Sequence, residues 1–362
     1  MIKHIYIHIP FCKNKCGYCS FYSVVKYNVE EYLEALFKEI ALYDSKYQIT
    51  PETIYFGGGT PSLLNPNDIK KILAKFNLKK TKEITLEANP STINPKKISE
   101  YKNIGINRFS IGTQSMLDKE LDLLGRQHSS ETINSCLEKN IENFSFDLIY
   151  GLPYQTIGEV EYSINEMLKM NPPHFSIYCL NLEENVPLHD MIFLLPSDDK
   201  LSEMYFKIKK ILEKKGYIHY ELSSFCKEGY QSSHNLAYWS GEYYLGLGAG
   251  ASGFLPATSK PNHQRYQNHY LYEYINNEDS FVQQSTPVSH KEFEKEYIIT
   301  GLRKMQGISI KDINEKFNIN FKDKYAKTIK KLAGKGMIEI DTHIRITKKY
   351  YFLSNEIMKE FV

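Results

Sequence analysis

Arginine is scarce in this chain of 362 residues: only 5 of its 45 basic side chains are Arg, and the other 40 are Lys. That shortage argues against a surface built to grip nucleic acid, because such surfaces draw heavily on Arg. No run approaches the ~18 apolar residues that a membrane helix needs. The opening stretch Lys3-His4-Ile5-Tyr6-Ile7-His8-Ile9-Pro10 has no apolar segment of signal-peptide length and no small-residue cleavage site. The expectation is a cytoplasmic protein, in a compartment where paired disulfides are rare. Internal repeats and low-complexity tracts are missing too, which excludes solenoids and long disordered segments. Net charge is only +2, but it is unevenly placed. Residues 290–362 carry 16 Lys/Arg against 10 Asp/Glu, while the other 289 residues carry 29 against 33. The tail therefore reads as a separate module.

What is present is a regular alternation of short strands and helices. Strands are predicted at His4–Ile9, Thr53–Phe56, Glu83–Ala88, Arg108–Gly112, Phe144–Ile149 and His174–Leu180. Helices fall between them at Val29–Ala41, Pro66–Phe76, Pro95–Lys102, Ser129–Asn140 and Gly158–Met170. Successive βα units imply a parallel sheet with right-handed crossovers. The expected fold is α/β: a partial barrel of six βα units over residues 1–196, with a less regular extension over 197–289. The extension begins with a helix at Asp199–Lys215 and a strand at His219–Ser224. Residues 290–362 give helices near Lys291–Lys304, Ser309–Phe317 and Lys322–Lys335. A strand pair follows, Met337–Asp341 with Ile344–Thr347, and the outline is that of a winged helix.

Six cysteines occur, and three lie within eight residues: Cys12-Lys-Asn-Lys-Cys16-Gly-Tyr-Cys19, directly after the first strand. Thiolate is the preferred ligand of iron–sulfur centres, so one loop can hold three corners of a four-iron cluster. The fourth iron then keeps an open position where a substrate or cosubstrate can bind. A structural zinc site with His4 or His8 as fourth ligand is the alternative, although zinc loops usually show two ligand pairs. Cys136, Cys179 and Cys226 read as small core residues. Gly248-Ala-Gly250-Ala-Ser-Gly253 fits G-x-G-x-x-G, but Phe254-Leu-Pro256 and Pro261 cannot open the helix that dinucleotide binding requires. A tight backbone wall at the barrel mouth is expected there instead.

C-x3-C-x2-C on the first loop of a βα barrel resembles the radical S-adenosylmethionine (SAM) superfamily. Tyr6-Ile-His8-Ile-Pro10-Phe11-Cys12, Gly57-Gly58-Gly59-Thr60-Pro61-Ser62 and Phe146-Asp147-Leu148-Ile149-Tyr150-Gly151-Leu152-Pro153 are similar to the oxygen-independent coproporphyrinogen oxidase family. The resemblance runs through nearly the whole chain. It implies a [4Fe-4S] cluster on Cys12, Cys16 and Cys19, and SAM beside it. Glu87 and the loop of Gly58, Gly59 and Thr60 would hold the methionine amino group, and Arg126 its carboxylate. Gln114 and Asp147 would take the ribose hydroxyls, with Tyr6 and Tyr18 near the adenine or the cluster. A retained Arg126 in an Arg-poor chain fits a need for a planar, two-pronged donor.

That family divides into decarboxylating oxidases and HemW-type heme chaperones. The oxidases have a further Cys two positions after the third cluster ligand, where this chain has Phe21, and they carry a long N-terminal extension. His234-Asn235-Leu236-Ala237-Tyr238-Trp239 matches the H-N-x-x-Y-W of the chaperones. On spacing alone His234 reads as a structural histidine beside a packed Trp. The subfamily match implies heme at His234, Tyr238 and Trp239. The chaperone resemblance implies transfer of heme to an acceptor protein and an external electron donor. It leaves open whether the acceptor is membrane-associated and whether the chain forms a homodimer. The alternative is an oxygen-independent coproporphyrinogen III oxidase, in which cleaved SAM abstracts hydrogen from propionate side chains before decarboxylation.

Overall fold

The structure, a computed structural model, describes residues 1–137, 141–257, 263–277 and 279–362. In its first six strands the residues alternate between polar and apolar, and successive side chains take opposite faces. In β1 (Ile2–Ile9) one face carries His4, Tyr6 and His8, and the other carries Ile5, Ile7 and Ile9. The pattern continues with Thr53 and Tyr55 on β2 (Ile49–Gly58), then Thr85 and Glu87 on β3 (Glu83–Ala88). It runs on through Ser110 on β4 (Arg108–Gln114), Ser145 and Asp147 on β5 (Phe144–Tyr150), and Ser176 and Tyr178 on β6 (His174–Cys179). Ile54, Phe56, Leu86, Phe109, Ile111, Phe146 and Phe175 take the other parity and form the core shared with the helices. The polar parity bonds across strands, as where Ser110 Oγ donates to Asp147. The apolar face therefore drives the folding, and the polar face lines the interior.

The six strands are parallel in sequence order, as expected. A seventh parallel strand, absent from the sequence expectation, is supplied from further along the chain. After β6 come β7 (Ile218–Glu221) and β8 (Ser224–Cys226), and then β9 (Tyr244–Leu247), which pairs in parallel with the free edge of β1. β10 (Ser252–Pro256), β11 (His263–Asn268) and β12 (Val282–Val288) extend that edge antiparallel. Among the described residues the order is β12-β11-β10-β9-β1-β2-β3-β4-β5-β6-β8-β7. The single strand expected at His219–Ser224 is a hairpin. Its turn is tied outward, with Leu222 N–H donating to the Arg303 carbonyl at 3.0 Å.

The helix Val29–Lys46 shows how local sequence sets the packing. Asn28 caps it by accepting from Glu30 N–H, and Tyr32, Leu33, Leu36, Ile40 and Tyr43 bury one face. Such a cap contributes about 1 kcal/mol, and each buried Leu or Ile about 1.5–3 kcal/mol. The helix of Ser129–Asn140 runs over Ser130–Cys136, and residues 138–140 of that expectation lie outside the described residues. In the tail, β13 (Ile308–Ser309), β14 (Ile338–Ile340) and β15 (His343–Ile346) form a small antiparallel sheet beside the helices Ile310–Phe317, Phe321–Lys324 and Ala326–Gly334. The one helix expected over Lys322–Lys335 breaks at Tyr325. There the Tyr325 hydroxyl and Lys324 Nζ both donate to the buried Glu294 carboxylate, at 2.8 and 2.6 Å.

Gly248–Gly253 runs from β9 into β10 and opens no helix. A Cβ at Gly246 would lie 1.9 Å from the Ser252 carbonyl, and Gly248 sits at φ 95. The wall is pinned by fully buried Glu39, which accepts from Gly248 N–H (2.8 Å), Asn268 Nδ2 (2.6 Å) and Tyr274 Oη (2.5 Å). Burial outweighs these donors and pushes Glu39 up to about 7, while Glu87 also stands at about 7. Stability that these carboxyls contribute below their ordinary 4.5 is lost as pH rises through about 7. Burial acts oppositely on His8, His128 and His219, held at about 4 against an ordinary 6.5. Their contribution is present above pH 6.5 and lost as pH falls through about 4. The melting temperature of the cluster-free chain is therefore expected to peak between about pH 6 and 7. Glu39→Gln will make the alkaline limb shallower. A Tm that climbs steadily from about pH 6 to 8 contradicts this assignment.

Candidate functional site

The C-terminal ends of the parallel strands enclose a cavity of about 460 Å³, the face on which βα barrels build their sites. One wall is the cysteine loop. Its entry is fixed by fully buried Phe11, which stacks on Tyr27 at 4.0 Å and meets Tyr32 edge-on at 5.1 Å. Backbone bonds then hold the loop on both sides, from Cys12 N–H to Val24 O (2.9 Å) and from Gly17 N–H to Leu124 O (3.1 Å). Cys12, Cys16 and Cys19 all line the cavity, are partly exposed, and form no disulfide.

The opposite wall is built from strand ends. Gly59 packs so closely under the loop that a Cβ there would lie 2.6 Å from the Phe11 carbonyl and 2.9 Å from Cys12 Sγ. Glu87 at the end of β3 accepts from Gly58 N–H at 3.2 Å and from the Tyr55 hydroxyl at 2.8 Å. Asp147 on β5 is half-buried among serine hydroxyls at the cavity, and its desolvation there pushes it up to about 6. Gln114 ends β4 at φ 70, in the left-handed region, and lines the cavity. Arg126 spans the two walls. Its Nη2 donates to the Gly112 carbonyl at 2.5 Å, and its Nη1 points to Cys16 Sγ (3.6 Å) and Tyr18 Oη (3.4 Å). Its Nε is buried with no partner.

These features fit an iron–sulfur cluster with a carboxylate-bearing cosubstrate beside it. Three thiols from one loop would supply three corners, and the orphaned Arg126 Nε offers a donor 110 residues away in sequence but against the same loop. The zinc alternative fits poorly. His4 is committed to Thr53 (2.9 Å) and Glu242 (3.2 Å), and His8 to Tyr6 (3.0 Å) and the Tyr22 carbonyl (3.0 Å).

The cavity thus gathers Tyr18, Gly58, Gly59, Thr60, Glu87, Gln114, Arg126 and Asp147 with the three cysteines. Tyr6 stands behind the glycine loop, where a Cβ on Gly57 would come within 2.8 Å of its ring. His234, Tyr238 and Trp239 lie elsewhere, on the helix Ser233–Trp239 beneath the barrel. His234 is 1% exposed, with Nδ1 bonded to Thr53 (2.7 Å) and Nε2 to Tyr238 (2.8 Å). Iron ligation by that ring requires one of these bonds to be given up. Trp239 stacks under the Arg303 guanidinium at 4.3 Å and, with Tyr238, borders a smaller cleft of about 240 Å³.

Two side chains were misjudged or missed from sequence. Cys179 is exposed at the cavity rim, at the end of β6, and is not a core residue, whereas Cys136 and Cys226 are buried as expected. Tyr55 was not singled out. Its signal was its parity, shared with Glu87 one strand away.

The family model of the Radical SAM superfamily matches residues 6–167, and that of the HemN C-terminal domain matches residues 288–352. The heme chaperone HemW of Bacillus subtilis (strain 168) is 34% identical over 378 aligned positions, covering 100% of this chain and 99% of that protein. The heme chaperone HemW of Lactococcus lactis is 33% identical, covering 99% of this chain and 96% of that one. Coproporphyrinogen III oxidase (HemN) from Escherichia coli, described as a radical SAM enzyme, superposes with a TM-score of 0.84 at 22% identity, over 99% of this chain and 90% of its own. That likeness speaks for the fold. No helix among the described residues is long and apolar enough to cross a membrane. With full-length identity to its relatives and the cysteine loop facing the Arg126 wall, the chain belongs to the HemW family of the radical SAM superfamily.

Proposed function

We propose that this protein is a heme chaperone of the radical SAM type, which binds a [4Fe-4S] cluster, SAM and heme and passes heme to an acceptor protein in the cytoplasm or at the membrane. The observation that carries the reading is identity of 34% along the whole length of a relative named for that function. The cavity supports its SAM-binding part. Glu87 and the Gly58 backbone face the amino end of such a ligand, Arg126 Nε is free for its carboxylate, and Asp147 accepts at depth from hydroxyls. When bound, the cluster supplies an electron from an external donor to SAM.

The second reading is an oxygen-independent coproporphyrinogen III oxidase, favoured by the complete set of cavity residues. Against it stands Phe21, which lies at the cavity mouth 70% exposed, where the oxidases have a further cysteine. A phenyl ring there offers neither a ligand nor a proton. The test is anaerobic reconstitution, followed by coproporphyrinogen III turnover with SAM and, separately, a heme titration read at the Soret band. A saturable Soret change without turnover is expected. Formation of protoporphyrinogen IX would overturn the chaperone reading.

A further inference from the structure

The helix Ser233–Trp239 closes the barrel from the end opposite the cluster loop. Its first turn is held by Glu83, at the start of β3, which accepts from Ser233 N–H (2.7 Å) and His234 N–H (3.1 Å). This capping carboxylate fixes where the His234 ring enters the barrel. Around that ring the hydrogen bonds form a chain whose protons can be assigned. Glu242 is an acceptor only, so His4 Nε2–H donates to it, and His4 Nδ1 then accepts from the Thr53 hydroxyl. Thr53 Oγ1 accepts in turn from His234 Nδ1–H, and His234 Nε2 accepts from the Tyr238 hydroxyl. Every ring nitrogen in the chain is used, and the ring is locked at both edges.

The locked ring carries something on its face. Tyr55 stacks on His234 at 5.1 Å with the planes 27° apart, and Tyr6 stacks on Tyr55 at 6.2 Å and 25°. Tyr6 and Tyr55 are register partners on β1 and β2, so the backbone sets that second stack. The Tyr55 side chain, in contact with both rings, has one polar atom, and it donates to Glu87 Oε1 at 2.8 Å. Glu87 Oε2 meanwhile accepts from Gly58 N–H. A continuous path of contacts thus runs from the barrel floor to the carboxylate in the cavity.

We infer that His234 is a positioning residue for the SAM site: it holds the Tyr55 ring, and the Tyr55 hydroxyl aims the Glu87 carboxylate. The H-N-x-x-Y-W segment then works from below on the cofactor cavity. The inference rests on the reading of that cavity as a SAM site. It also accounts for Tyr238, whose hydroxyl locks His234, and for Thr53, which is otherwise a buried hydroxyl without a task.

The experiment is SAM affinity by equilibrium dialysis on the cluster-reconstituted full chain, with a heme Soret titration on the same samples. Tyr55→Phe keeps the stack and removes only the hydroxyl, and it is expected to weaken SAM binding roughly three- to tenfold. His234→Ala should weaken it to a similar degree. His234→Phe, which restores a ring face for Tyr55, should recover most of the loss. In the double variant the two effects should not add, because both act through one hydroxyl. A general loss of packing would instead add to the Tyr55→Phe effect and would not be rescued by Phe. Unchanged SAM affinity in Tyr55→Phe, or additive losses, overturns the inference even if His234→Ala fails to fold. Absence of SAM binding in the unaltered protein would overturn the reading of the cavity itself.

Discussion

Replacing Cys16 with alanine will strip the reconstituted protein of its iron, from about four atoms per chain to well below one, with loss of the brown charge-transfer absorbance. The expectation follows from how the three thiols are presented. They come from a single loop whose backbone is fixed by Phe11, Val24 and Leu124, so no neighbouring cysteine can swing in as a substitute. Of the remaining cysteines, Cys136 and Cys226 are buried in the core and Cys179 sits at the far rim on β6. Because the loop is anchored by backbone bonds and the Phe11 ring, the variant should keep its far-ultraviolet circular dichroism and lose only the cluster. Cys226→Ala is the control: it removes a buried sulfur and should leave the iron content unchanged. Iron retained in Cys16→Ala would refute the ligand role.

How much of this was legible in the sequence depends on the range of the interactions. The six parallel strands were legible because each carries its own alternating pattern and its own boundary residues, from His4–Ile9 to His174–Leu180. The cysteine loop was legible because its three thiols are neighbours in the sequence. β9 was not, since joining the far edge of β1 is decided by tertiary packing around Glu39 and the Gly248 turn, more than 200 residues away in sequence. Cys179 was misplaced for a related reason. It continues the apolar parity of Phe175 and Ile177, and only the end of the strand at the cavity rim exposes it. The fate of His234 lay beyond the sequence altogether. Its motif specifies the residue, but its partners Thr53, Tyr55 and Glu83 come from two other strands.

Glu87→Gln should cause the largest loss of SAM affinity of any single change in the cavity that leaves the cluster in place. The half-buried carboxylate lines the cavity and keeps two donors, Tyr55 Oη and Gly58 N–H, facing it. An amide of the same shape puts an NH2 group against one of those donors and removes the negative charge. A hydrogen bond to a charged group contributes about 1.5–3 kcal/mol, so the expected loss is roughly 10- to 150-fold in SAM affinity. The pH dependence gives an independent check. Burial pushes Glu87 up to about 7, with the Asp147 charge adding to it, while Tyr55 and Gly58 pull it down. Below that value the carboxyl is protonated and one acceptor for the amino group is lost. SAM affinity in the unaltered protein is therefore expected to rise as pH increases through about 7. In Glu87→Gln the profile should be flat across the same range, because the titrating group is gone. Tyr55→Phe removes a donor that stabilises the anion, so its midpoint should move to higher pH. A slope in Glu87→Gln equal to that of the unaltered protein would assign the titration to another group, with Asp147 at about 6 the next in the cavity.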